Sequence, residues 1–269
     1  MRMIKWVMLL VTMSLLAVLI GGAGVEAQVS KWLDSSQLSQ GIIFISYPVQ
    51  KNIKTKLMIV KGNDRYTYTL SGSKKKESFP LQMGNGKYIV YVLEHVSGNS
   101  YKRVANKEVT LKLKSSNAVF LNSIQNIYWT SESAAVIKAK ELTKNMNTNE
   151  EKVRAIYNFV YKTIKYDSKL AADVSNDYLP DIDRTLKLKK DICYGYASLF
   201  AAMLRSQQIP TKLVMGESSY VKVYHAWNEV YLNGKWVIID TTVDASLLKV
   251  NKKASMIKDS SKYKAAKVY

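Results

Sequence analysis

Apolar and polar positions alternate with a period of two through residues 40–115, and this alternation predicts strands. Gly41–Tyr47 is an apolar run with aromatics, Lys56–Val60 is a second run, and Tyr66–Leu70 alternates tyrosine with threonine as a half-exposed strand does. Lys87–Leu93 follows an Asn85-Gly86 turn, and Gly98-Asn99 turns the chain again before the alternating run Lys107–Leu113. Short strands divided by turn residues predict a small β-sandwich over residues 28–118. Beyond residue 120 the spacing becomes helical. Ser131–Lys144 offers Ala134, Ala135, Ile137 and Leu142 to one side. Thr148 and Glu151 form a capping-box pattern ahead of the stripe Val153, Ile156, Tyr157, Val160 and Ile164, with an end expected near Lys165–Asp167.

Residues 168–190 show no period and read as an irregular acidic loop carrying Asp173, Asp177, Asp181 and Asp183. Their spacing does not match a calcium-binding loop and the turn glycine is absent, so a solvated loop is expected and no metal. The segment Asp191–Leu204 returns to helical spacing, with Asp191 as the expected cap and Cys193 in the first turn. Two strands follow, Val223–Leu232 and Lys235–Thr242, joined by Asn233-Gly234, a strong hairpin signal. A second unit of helices and strands over residues 119–248 and a lysine-rich tail over 249–269, mobile at its end, complete the expected organisation.

The N-terminus changes the picture of where the chain works. Arg2 and Lys5 precede an apolar stretch from Trp6 to Ile20, and Val25-Glu26-Ala27 resembles a cleavage site before Gln28. Residues 1–27 therefore read as an export signal, and a secreted or cell-surface location is expected. Membrane attachment follows only if that segment stays uncleaved. The formal charge of +19 comes from lysines spread along the chain. Such a field favours anionic partners, here an anionic cell-wall polymer, and no nucleic-acid motif accompanies it. The sandwich would be the module that binds the polymer. His95 has no second histidine near it in sequence and reads as a rim residue.

The chain has one cysteine, which excludes an intramolecular disulfide. At a helix start, free backbone amides and the helix dipole favour a thiolate, and the Cys193 amide is placed to serve an oxyanion. In the Asn233-Gly234 hairpin, Leu232 faces Lys235, so Trp227 faces Asp240 and His225 faces Thr242. His225 and Asp240 are then diagonal neighbours on one face, about 7–8 Å apart at the backbone and within side-chain reach. A carboxylate that orients an imidazole, which in turn serves a thiol, is the constellation of a thiol enzyme.

The stretches DICYGYASLFAAMLRSQQIPTKLVMG and YHAWNEVYLNGKWVIID, in the order Cys, His, Asp, resemble the transglutaminase-like superfamily over roughly residues 125–245. The resemblance implies an α+β, papain-like core in which the helix carrying the cysteine packs on an antiparallel sheet, preceded here by the sandwich. It implies Cys193 as nucleophile, His225 as base and Asp240 as orienter. Tyr166 is the implied oxyanion donor, with Trp227 and Asn228 walling the site. Family members often carry proline directly after the aspartate; here the chain reads Asp240-Thr241-Thr242. The implied chemistry needs no cofactor. It joins a thiolate to an amide carbonyl of a protein or peptide bearing glutamine or amide side chains. The expected outcome is transamidation or deamidation at the cell surface. A cysteine protease or cell-wall peptide hydrolase is the alternative within that chemistry, and a non-catalytic surface-binding protein is the alternative outside it.

Overall fold

The computed structural model describes residues 32–269. The export signal expected over residues 1–27 lies outside them. The first half of the described chain is mainly β, with short 3-10 helices at Leu38–Gln40 and Ser116–Leu121. In chain order its strands are β1 (Leu33–Asp34), β2 (Ile42–Ile45), β3 (Thr55–Lys61), β4 (Asp64–Thr69), β5 (Glu77–Pro80), β6 (Gly86–Ser97) and β7 (Ser100–Leu111). They form two antiparallel sheets, ordered β1-β2-β5 and β4-β3-β6-β7. Ile43, Ile45 and Phe79 of the first sheet share one buried cluster with Leu57, Ile59, Tyr88, Val90 and Val92 of the second. The inward side chains are every second residue of each strand, so the period-two pattern is the pattern of a sandwich core. The short β1 and β5 are additions to the expected strands, and β6 and β7 run longer than expected on either side of the Gly98 turn.

The second half interleaves helices with a mainly antiparallel sheet. Its elements are α1 (Ala134–Thr143), α2 (Asn149–Thr163), β8 (Lys165–Tyr166), α3 (Ser168–Ala172), α4 (Ile182–Leu188), β9 (Lys190–Asp191) and α5 (Cys193–Ser206). There follow β10 (Thr211–Ser218), β11 (Val221–Leu232), β12 (Lys235–Ile239), α6 (Thr241–Lys249) and β13 (Tyr263–Val268). The capping box of α2 forms as expected, with Thr148 accepting from the Glu151 amide and Glu151 returning to the Thr148 amide. The main sheet runs β12-β11-β10-β13. Helix α5 lies against it almost wholly buried, from Gly195 to Arg205. A helix apolar all round belongs inside a core, and α5 is the centre of this one. At its far end the buried Arg205 guanidinium donates to the backbone oxygens of Asn122, Thr211 and Tyr269. Burial lowers Arg205 to about 9.

Two expectations fail here. The segment 168–190 is not an irregular loop, since it holds α3 and α4. Asp181 caps α4 through the amides of Asp183 and Arg184, Asp183 accepts from the Ala135 amide, and Asp177 pairs with Lys54 of the sandwich. These carboxylates satisfy helix starts and one ion pair. Among the described residues no group of three or more His, Cys, Asp or Glu side chains could hold a metal ion. The lysine-rich tail is not mobile at its end either. Residues 263–268 form β13, paired with β10 from Val214↔Val268 to Ser218↔Tyr263. Tyr269 packs into both hydrophobic clusters. Its backbone exchanges hydrogen bonds with Leu213, so the segment completes the sheet.

Among the described residues no helix is long and apolar enough to cross a membrane.

Candidate active site

Cys193 is the first residue of α5 and is partly buried. Asp191 does not cap that helix with its side chain, contrary to expectation. The cap position is Ile192, which makes no side-chain cap bond. The Asp191 carboxylate is fully buried and accepts instead from the Tyr178 hydroxyl at 2.7 Å, the Thr185 hydroxyl at 2.5 Å and the Ile192 amide at 2.8 Å. Arg184 adds an ion pair at 3.3 Å. Asp191 thus pins the turn before the cysteine to α4 rather than closing the helix. Gly195 makes room for it: a Cβ there would lie 2.1 Å from the Asp191 carboxyl carbon. The helix therefore tolerates glycine in its first turn because any side chain would displace a buried carboxylate.

The β11–β12 hairpin has the expected register, from Leu232↔Lys235 to Asn228↔Ile239. Its consequence for the side chains is present as well. His225 Nε2 lies 2.8 Å from Asp240 Oδ2, and both residues are buried. Asp240 has a second task, because Oδ1 accepts from the Val243 amide at 3.0 Å and so caps α6. The backbone capping geometry fixes the carboxylate's orientation, and the imidazole inherits that orientation. Burial alone would push the His225 imidazole down. Hydrogen bonds to Asp240 and Cys193, with the charges of both, overturn this and raise it from 6.5 to about 10. Cys193 and Asp240 therefore act on one ring.

Tyr263 was not anticipated. It belongs to β13, and its hydroxyl donates to Asp240 Oδ2 at 2.9 Å. That oxygen faces two donors, His225 and Tyr263. Burial, then the charge of Asp240, raises the Tyr263 phenol far above its ordinary value, so it remains a donor. Trp227 stacks on the His225 ring at 6.3 Å between centroids and contacts Tyr263 at 5.0 Å. It covers one face of the histidine ring. Asn228 does not wall the site. Alternation along β11 turns it to the other face, where its Nδ2 donates to the backbone oxygens of Ala197 at 3.0 Å and Lys212 at 3.1 Å. It ties α5 to β10. Tyr166 stands at the parallel β8–β9 contact, paired with Asp191, and is 43% exposed. Its phenol is raised by burial and then by the charge of Cys193. His95 bonds the Gly98 carbonyl at 2.9 Å in the sandwich, far along the chain from these groups.

A second buried pair lies one turn into α6. Asp244 accepts from Lys258 and, at 2.9 Å, from Tyr157. With Tyr263 on Asp240, the segment after α6 is fastened to that helix at two carboxylates.

Residues 138–241 match the model of the family described as the transglutaminase-like superfamily. Kyphoscoliosis peptidase of Homo sapiens is 31% identical over 118 residues, covering 40% of this chain and 18% of the human protein. The Mus musculus protein of the same name is 30% identical over 118 residues, with the same coverage. The matched part is thus less than a fifth of the length of these relatives. Among solved structures, the periplasmic domain of TgpA from Pseudomonas aeruginosa aligns with a TM-score of 0.42 and 12% identity, covering 74% of this chain and 90% of that one. A structure titled as a TGase aligns with a TM-score of 0.36 and 24% identity, over 44% of this chain and 34% of the other.

Proposed function

Since residues 138–241 form a transglutaminase-like core, we propose that this chain is a thiol enzyme in which Cys193 attacks amide carbonyls, with His225 as its proton carrier and Asp240 as the orienter. The observation that carries this reading is the His225 Nε2 to Asp240 Oδ2 contact at 2.8 Å, on a ring that also feels Cys193. Nε2 is held by Asp240, which leaves Nδ1 for the sulfur. A charged imidazole beside the sulfur favours the thiolate.

Sγ adds to the carbonyl carbon and the carbonyl π pair moves to oxygen. Collapse re-forms the carbonyl and breaks the C–N bond, while the proton on His225 passes to the departing nitrogen as ammonia leaves. A thioester remains. An incoming primary amine gives a proton to His225 as it attacks, the thiolate departs, and a new amide results. Water in place of the amine gives a carboxylic acid. In this reading the Cys193 amide at the helix start and the Tyr166 hydroxyl serve as donors to the oxyanion. Glutamine side chains of a protein at the cell surface are the proposed substrate, in keeping with the export pattern at residues 1–27. The peptidase name of the relatives favours a second reading, in which water resolves a thioester formed from a main-chain amide.

Mass spectrometry of a glutamine-rich protein incubated with the enzyme and a labelled primary amine separates these readings. Label on glutamine, absent after alkylation of Cys193, is the expected result. New chain ends without label would establish the peptidase. No covalent change to any substrate, with Cys193 inert to iodoacetamide near neutral pH, would leave a binding protein.

The pH dependence follows from the raised histidine. Its folded value of about 10 lies above the ordinary 6.5. The charged form therefore persists through neutral pH, and the alkaline limb of kcat/KM is expected near 10 rather than near 6.5. The limb is assigned to His225. The same group's contribution to folding is fully present below 6.5 and is lost as pH rises through about 10. An alkaline limb near 6.5 would show that the imidazole is not raised in the working enzyme, and an acidic limb at the histidine's value would show that the neutral imidazole is the working form.

A further inference from the structure

The sandwich and the core meet along a cleft of about 400 Å³. Its lining includes Tyr194, the residue after Cys193, and Tyr178, whose hydroxyl bonds Asp191 two residues before Cys193. The cleft therefore borders the nucleophile's own turn. Asn126 also lines it and is only 6% exposed. Its Nδ2 donates to the Tyr194 hydroxyl at 2.6 Å, while its Oδ1 is buried. That oxygen has no hydrogen-bond partner among the described residues.

The opposite wall is β4, an edge strand of its sheet. The Leu70 amide bonds Thr55 of β3, so the even-numbered residues of β4 direct their backbone groups inward and the odd-numbered ones direct theirs outward. Two outward carbonyls already have partners: Thr69 accepts from Gln125 at 2.7 Å and Arg65 from Lys267 at 3.1 Å. Thr67 stands between them, exposed and lining the cleft, with its N–H and C=O on the outer edge. An outer strand edge beside a reactive centre pairs with an extended chain.

We propose that this cleft binds the acyl donor as an extended polypeptide, added as a strand against β4 at the Thr67 N–H and C=O. The proposal rests on the thiol-enzyme reading above. A saccharide or lipid carries no run of N–H and C=O groups at strand spacing, so the occupant is a peptide. The sandwich is then one wall of the substrate site rather than a separate wall-binding module.

The test compares a ten-residue glutamine peptide with a glutamine dipeptide, which spans only about 7 Å at about 3.3 Å per residue and offers no run of main-chain groups to a strand edge. The decapeptide is expected to show a KM at least about tenfold lower, the worth of two main-chain hydrogen bonds. N-methylation along the peptide should raise KM by a similar factor at alternate positions only. Thr67→Pro should do the same for the decapeptide, with kcat and all dipeptide values unchanged. Proline is tolerated at an edge position whose N–H points outward. The N-methyl peptides need no altered protein and so stand if the variant misfolds. Equal KM for both lengths, or indifference to N-methylation at every position, would overturn the proposal while the thiol chemistry stood. Turnover of neither peptide would sink the reading beneath it as well.

Discussion

Cys193→Ala is expected to reduce amide turnover to background while the protein stays folded. The thiol is the only group in the proposed cycle that bonds to the acyl carbon, so no neighbour can replace it. Loss of a nucleophile from such a constellation typically costs about 10⁶ in kcat. The structural cost is small for reasons visible in the helix. Cys193 is the first residue of α5, it is partly buried, and the turn before it is held by Asp191 rather than by the thiol. Alanine is the best helix former, so backbone propensity does not suffer. Parallel measurements of amine incorporation and thermal unfolding check both halves. A third readout is specific to the arrangement. Cys193 contributes to the raised His225, so nuclear magnetic resonance titration of the variant should place that ring below about 10. Turnover surviving in Cys193→Ala would end the proposed mechanism. An unshifted histidine would show that sulfur and ring are not coupled.

The parts of the site legible in sequence are those set by local rules. Asn233-Gly234 defines a two-residue loop, and a two-residue loop fixes the register of everything behind it, down to the diagonal that brings His225 to Asp240. Thr148 and Glu151 define a helix start because both partners lie within one turn. The missed parts depend on distant pairings. Strand β13 alternates Tyr263, Ala265 and Lys267 with Lys264, Ala266 and Val268, a pattern that its lysines disguise as a tail. Only pairing with β10, far back in the chain, makes it a strand. Tyr263 was missed for the same reason, since its role requires β13 to be in the sheet. Asp191 looked like a cap because it precedes a helix. Its actual partners, Tyr178 and Thr185, come from a segment whose polar composition reads as loop. Asn228 was misplaced by nearness in sequence to His225, although the parity of the strand already turned the two to opposite faces.

Asp240→Asn is expected to lower kcat by about 10⁴, on the scale known for removing the orienting carboxylate of a hydrolytic triad. The change is nearly isosteric, and the capping role survives it. Asparagine ranks with aspartate at a helix N-cap, so its Oδ1 continues to accept from the Val243 amide and α6 keeps its start. That bond also dictates the damage. With Oδ1 held at Val243, the amide nitrogen must occupy the place of Oδ2, which now accepts from both His225 and Tyr263. An NH₂ group cannot accept. Tyr263 can rotate its hydroxyl and become the acceptor. His225 has no such freedom, and must present a bare Nε2 and carry its proton on Nδ1. The nitrogen facing the sulfur is then already protonated while the ring is neutral. It neither takes the thiol proton nor attracts a thiolate by charge. The variant should therefore melt close to the parent, bind donor peptide with little change in KM, and lose kcat. Its histidine should titrate well below the parent value of about 10, because the Asp240 charge and hydrogen bond are gone. A kcat within about tenfold of the parent would show that Asp240 caps α6 without orienting the base.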